Sequence, residues 1–233
     1  MDRREEIASN LAAVRSRIAA ACAAAGRKPE EITLIAVTKT YPAEDVLHLV
    51  SLGVHDIGEN RDQEAAPKAA AVAQAGAEVR WHFVGQLQRN KAKSVVTYAD
   101  MVHSVDSVEL VRALDDQAQR RRGTPLNVLV QVSLDDDPQR GGAVMEELSA
   151  VAEAVTGADS LRLRGLMAVA PLGEAPESAF ARMKQYIRMF QADYPDATVV
   201  SAGMSDDLDE AIACGATHVR IGSALLGKRP TLR

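Results

Sequence analysis

Aromatic side chains are scarce in this chain, only 3% of its 233 residues, although 47% of it is hydrophobic. Any core must therefore be built mostly from Ala, Val, Leu and Ile. Cysteine is scarcer still. Cys22 and Cys214 lie far apart with no Cys-x-x-Cys spacing, which argues against a disulfide framework and fits a reducing compartment. A basic excess is also missing: the formal net charge is -5, whereas nucleic-acid binders carry a cationic balance or face. The short run Arg120-Arg121-Arg122 stands just before Gly123, at the end of a helical stretch where cations complement the helix dipole. No apolar run is long enough to span a bilayer, and Met1-Asp2-Arg3-Arg4-Glu5-Glu6 does not read as a signal peptide. These absences predict a cytoplasmic protein that binds neither nucleic acid nor membrane.

What is present is rhythm. From Asp2 to about Ala25 the apolar positions Ile7, Leu11, Val14, Ile18 and Cys22 fall at helical spacing. Asp2 with Glu5 makes a capping box, and Gly26 then Pro29 end the helix. Beyond it, short β-branched runs alternate with helical stretches. The runs are 33–38, 55–58, 80–84, 101–105, 127–133, 162–167, 198–201 and 218–221. Between them lie helical patterns over 43–52, 62–75, 91–98, 107–122, 144–156, 177–192 and 206–214. Strands alternating with helices imply a parallel sheet, and eight strands close a barrel. No Gly-x-Gly-x-x-Gly follows the first strand, as a doubly wound nucleotide fold would need. No linker interrupts the pattern. The expectation is one domain over 1–233, a (β/α)8 TIM-type barrel with an added N-terminal helix.

Barrels place their reactive groups at the C-terminal ends of strands, which singles out Lys39. It follows the buried-looking run Ile32–Thr38, and Pro42 then suits a first helical turn. Partial desolvation there would lower the amine's pKa and favour attack on an aldehyde. Position alone slightly favours an ordinary solvated loop lysine. The far end of the chain shifts that balance. Ser201-Ala202-Gly203-Met204-Ser205 and Gly222-Ser223 follow the seventh and eighth runs. Each offers glycine, serine hydroxyls and helix N-terminal amides suited to a phosphate. One such turn is an ordinary cap; two on adjacent final strands make a phosphate site, and a lysine across the mouth suggests a phosphorylated aldehyde.

Several stretches carry a specific likeness. These are Ala36-Val37-Thr38-Lys39-Thr40, Gly58-Glu59-Asn60 with Gln63-Glu64, and Trp81 to Lys91. Gly165-Leu166-Met167, Gly203-Met204-Ser205-Asp206-Asp207 and Arg220-Ile221-Gly222-Ser223 continue it. Taken in order, they resemble the pyridoxal phosphate homeostasis family, whose fold is similar to the N-terminal barrel of alanine racemase. The resemblance implies that pyridoxal phosphate is bound as a Schiff base on Lys39. It implies that Ser201, Gly203, Met204, Ser205, Gly222 and Ser223 surround the phosphate. Asn60 would lie beside the ring or its hydroxyl, and Arg220 would face the pyridine nitrogen. It further implies a monomeric, non-catalytic cofactor carrier that balances amino- and keto-acid pools, with apo pyridoxal phosphate enzymes as partners. The sequence departs from the family at Thr38, usually serine, at Ala202, usually methionine, and near Leu226, where an aromatic is missing. Where Arg140 stands a lysine is common; an anion contact survives that change, whereas a second nucleophilic amine is not expected.

Other chemistries have less support. His48, His55, His82, His103 and His218 show no tight metal-site spacing, and no metal is expected. There is no Gly-x-Ser-x-Gly elbow. The cationic stretch Arg89–Lys93 opposes the dipole of the helix it opens; neighbouring acids, or a contact surface for an anion or a partner, would each account for it. The rival function is an amino-acid racemase, which needs a second acid-base group across the ring from the lysine. Alanine racemases take that tyrosine from a further C-terminal domain, and none is expected here. Tyr41, Tyr98, Tyr186 and Tyr194 offer no obvious substitute.

Overall fold

The computed structural model describes residues 2–135, 137 and 140–227. The first helix, α1 (Arg3–Ala24), opens on the expected capping box. Glu5 N–H donates to Asp2 Oδ1 at 2.8 Å, and Asp2 N–H donates back to Glu5 Oε2 at 2.9 Å. Its buried face is Ile7, Leu11, Val14, Ile18, Ala21 and Cys22.

Strands and helices then alternate: β1 (Thr33–Val37), α2 (Ala43–Ser51), β2 (Asp56–Glu59), α3 (Asp62–Gln74), β3 (Arg80–Phe83) and α4 (Ala92–Tyr98). They continue as β4 (Met101–Val105), α5 (Val108–Arg121), β5 (Leu126–Gln131), α6 (Met145–Thr156), β6 (Leu161–Met167) and α7 (Pro176–Asp193). The last are β7 (Val199–Ser201), α8 (Leu208–Cys214), β8 (His218–Ile221) and the short α9 (Ser223–Leu226). All pairings are parallel, and the sheet closes in sequence order. The closing pair is β1 with β8, in register from Thr33 opposite His218 to Ala36 opposite Ile221. The eight-stranded barrel expected from the sequence is the fold observed.

Most boundaries move by a residue or two, and one of these shifts has a visible cause. The helix pattern at 206–214 becomes helical only at Leu208. Asp207 accepts the Met204 N–H at 2.6 Å, and that bond holds 204–207 as a turn. Arg122 also serves a helix other than its own: its guanidinium donates to Val96 O and Ala99 O at the C-terminus of α4.

Successive strand residues point to opposite sheet faces. Outward residues such as Val102, Val128, Val130 and Leu166 pack with Val95, Val96, Leu110 and Leu114 of the helices. The opposite arc packs Ala36, Ile57, Val219 and Ile221 against α1 and its neighbours. Inside the barrel, Leu129, Met167 and Val199 form a small apolar cluster with Met101 alongside. Many other inward positions are polar, among them Asp56, His82, His103, Ser201, His218 and Arg220. Gly165 keeps β6 and β7 together. At φ 149° its place admits no ordinary side chain, and a Cβ would sit 1.8 Å from Val199 O.

Candidate functional site

Lys39 leaves β1 on a backbone held from three sides. Thr38 N–H donates to Gly58 O at 2.9 Å, and Thr38 Oγ1 donates to Glu59 Oε1 at 2.6 Å. Lys68 Nζ reaches from α3 to Thr38 O at 2.7 Å and closes a short ion pair with Glu59. Both partners of that pair are buried. The next residue, Thr40, sits in the left-handed region at φ 69°, a strained conformation for a β-branched side chain. Its N–H donates to Glu64 Oε2 at 2.9 Å, which helps to hold it there. Tyr41 then anchors the loop, its hydroxyl donating to Gly227 O at 2.8 Å, with the Arg3 guanidinium 5.6 Å from its ring centre. Strain of this kind marks functional positions, and here it adjoins the lysine that sequence position singled out.

Lys39 lines a cavity of about 360 Å³ at the C-terminal ends of the strands, where barrels of this type place their sites. Asn60, Met204, Ser205, Arg220, Gly222 and Ser223 line the same cavity, with Tyr41 and Asp206. Val37, Val84 and Val169 supply apolar wall. Asn60 is backed by the turn after β3, where Gly85 approaches so closely that a Cβ would lie 2.1 Å from Asn60 O. Asn60 Oδ1 is buried with no partner. On the opposite side the Ser205 and Ser223 hydroxyls approach to 3.5 Å. Gly222 caps α9, whose first N–H groups lack helical acceptors.

Ser201 and Gly203 do not line this cavity. Gly203 faces α8: it takes φ 91°, and a Cβ there would meet Ala211 Cβ at 2.6 Å. Ser201 is fully buried beneath Arg220, accepting from Arg220 Nη1 at 2.7 Å on its carbonyl and 2.8 Å on its hydroxyl. Arg220 Nη2 also donates to Ala168 O at 2.9 Å. Burial lowers the Arg220 pKa to about 10, with Asp207 opposing the shift, so the guanidinium keeps its charge at neutral pH. A guanidinium has five N–H donors. Those of Nε and one of Nη2 have no protein acceptor among the described residues, on a side chain that lines the cavity.

Sequence reasoning did not find the Glu59–Lys68 pair or the part played by Tyr41. A glutamate at the C-terminal end of a buried strand was the available signal for the first. Arg140, standing where the family commonly has lysine, donates to Asp135 Oδ2 at 2.6 Å and Ala170 O at 2.9 Å. The stretch from Arg89 forms a 3₁₀ turn leading into α4. It borders a larger hollow of about 860 Å³, lined by Gln86, Gln88, Asn90, Ser107 and Glu109 among others. The smaller cavity is the one that gathers the lysine and residues of both glycine-serine turns.

The family model described as alanine racemase, N-terminal domain, matches residues 9–230. A Mycobacterium tuberculosis protein named pyridoxal phosphate homeostasis protein is 46% identical over 98% of this chain and 95% of its own length. One of the same name from Escherichia coli is 40% identical over 96% of this chain and 97% of its own. Among solved structures, PipY of Synechococcus elongatus with pyridoxal phosphate bound superposes with a TM-score of 0.83 at 34% identity, covering 95% of this chain and 100% of PipY. An alanine racemase from Corynebacterium glutamicum superposes at 0.70 with 14% identity over 99% of this chain and 63% of its own, a likeness of fold alone.

Proposed function

This chain belongs to the pyridoxal phosphate homeostasis family, and from that premise we propose that it carries pyridoxal phosphate covalently on Lys39 as a storage and delivery protein. The observation that carries the reading is the meeting of Lys39, two phosphate-type turns and Arg220 around one cavity. The groups present fit the cofactor. Lys39 takes the aldehyde, Ser205, Gly222 and Ser223 take the phosphate, and Asn60 stands beside the ring. Met204 covers it from the β7 turn. Gly203 and Ser201 then act from behind: the first seats the β7 turn on α8, the second holds Arg220. The spare N–H donors of Arg220 suit a ring nitrogen that carries no proton.

Pyridoxal phosphate supplies an aldehyde that condenses with an amine, losing water, and is released again by water or by another amine. Lys39 supplies that amine, the Glu59–Lys68 pair fixes its backbone, and Arg220 holds the ring as a poor electron sink. A poor sink favours keeping the cofactor over reacting it. The racemase alternative needs a second acid-base group facing the lysine. Tyr41 is the tyrosine that lines the cavity, and its hydroxyl is already spent on Gly227 O, which supports the carrier reading. By that reading the protein is a cytoplasmic monomer. Its partners are apo enzymes that accept the cofactor, and their loading sets amino- and keto-acid balance.

The test is direct. The purified protein should show visible absorbance from bound cofactor, and borohydride should fix the label on Lys39, as mapped by mass spectrometry. Lys39→Ala should lose both. Label on another lysine, or undiminished absorbance in Lys39→Ala, would overturn the assignment. Turnover of D- or L-alanine, followed by optical rotation, would favour the racemase.

A further inference from the structure

Behind the cavity an unbroken run of hydrogen bonds crosses the barrel interior from Arg220 to Asp56. Arg220 Nη1 donates to Ser201 Oγ at 2.8 Å. Ser201 Oγ lies 2.9 Å from His103 Nδ1, and His103 Nε2 lies 2.9 Å from His82 Nδ1. His82 Nε2 lies 3.0 Å from Asp56 Oδ1. All five side chains are buried. They come from five strands, each at an inward position, so only closure of the barrel brings them into line.

The two ends set the direction in which a continuous run of hydrogens would point. Arg220 can only donate, and an ionised Asp56 can only accept. Burial works against the charge on Asp56. The hydrogen bonds from His82 and Arg80 outweigh it and hold the carboxyl well below its usual range. Arg80 grips the same carboxylate with two bonds of 2.7 and 2.6 Å. His103 stays neutral, because burial first and then the Arg220 guanidinium push its pKa down. Ser201 receives an N–H from Arg220 and has one hydrogen of its own to give; the run is continuous when that hydrogen goes to His103 Nδ1. His103 then carries its hydrogen on Nε2 and gives it to His82 Nδ1. His82 carries its hydrogen on Nε2 and gives it to Asp56. This arrangement satisfies both ends at once. The hydrogens all point the same way, and aligned bonds of this kind strengthen one another in a low-dielectric interior.

We propose that Asp56, His82, His103 and Ser201 are positioning residues for Arg220, holding its guanidinium so that the spare N–H groups face the cofactor's ring nitrogen. The proposal rests on the cofactor reading above. It adds a consequence: Asp56, the first residue of β2 and so at the barrel end opposite the cavity, sets the electronic state of a ring bound at the other end. Neither Asp56 nor either histidine touches the cavity, so none is a catalytic residue.

The experiment has two stages, which separate failure of this proposal from failure of the cofactor reading. In the cofactor-free protein, ¹⁵N NMR of labelled histidines should show the hydrogen on Nε2 of both His82 and His103. An imidazolium, or hydrogen on Nδ1 at either ring, would overturn the arrangement whether or not the cofactor binds. In the loaded protein, Asp56→Asn and Ser201→Ala should each weaken cofactor binding roughly tenfold. Each should also shift the ¹⁵N signal of the cofactor's ring nitrogen. The double variant should be no weaker than Ser201→Ala alone, since both cut one run. Ser201→Thr keeps a hydroxyl and should restore binding and signal. Additive losses, or an unmoved ring-nitrogen signal with only lowered thermal stability, would show a purely structural role and sink the proposal.

Discussion

The two faces of the same strands do different work. Trp81, Val102, Val200 and Val219 point outward into apolar packing, while their neighbours His82, His103, Ser201 and Arg220 point inward and hydrogen-bond to one another. A step of one residue therefore separates stability from chemistry. The outer layer tolerates any well-packed apolar side chain of similar volume. The inner face depends on particular atoms at particular distances, so a conservative change of size there still removes a partner.

The comparison can be broken most forcibly where the outer layer holds a charged pair. Lys68→Met leaves Glu59 buried without its cation, and should cost about 3–5 kcal/mol in urea unfolding. Adding Glu59→Leu should recover most of that loss; no recovery would mean that Lys68 acts chiefly through Thr38 O. An ordinary outer position should behave differently. Leu114 is fully buried, so Leu114→Ala should cost about 3 kcal/mol through lost burial and a cavity, with cofactor affinity unchanged.

The inner face should show itself by pH. Burial, followed by His82, pushes the pKa of His218 down to about 4, and His103 is also held down. Unfolded histidine binds its proton near pH 6.5. Their contribution is therefore complete above that pH and is lost as the solution becomes more acidic, down to about pH 4 for His218. Each adds up to about 1.4 kcal/mol per pH unit to the slope. His218→Asn should flatten the fall between pH 6.5 and 4; an unchanged slope would put the titration elsewhere. The smallest effect lies furthest from both faces. Asp2→Ala removes the cap of α1 and should cost about 1 kcal/mol, read as a lower thermal midpoint.

The elements were legible because each strand and helix declares its period locally. The barrel followed from alternation and count. The differences arise where one side chain redirects the backbone or where a face decides. Asp207 delays α8 by binding Met204 N–H, which no periodicity shows. Ser201 stands in a phosphate-type stretch, but strand alternation turns it under Arg220. His82, His103 and His218 could be assigned to separate strands from sequence. That the first two touch depends on register between strands, which no single strand encodes.

The closing pair, β1 against β8, has a consequence in time. A ribosome emits Lys39 long before His218–Ile221, so β1 waits for its second neighbour through most of synthesis. The amine that would hold the cofactor and the turns that would hold its phosphate meet only in that final pairing. A nascent chain has half a binding site. Cofactor capture should thus report completed folding, and loading can begin only once the newborn chain has drawn its last strand into place.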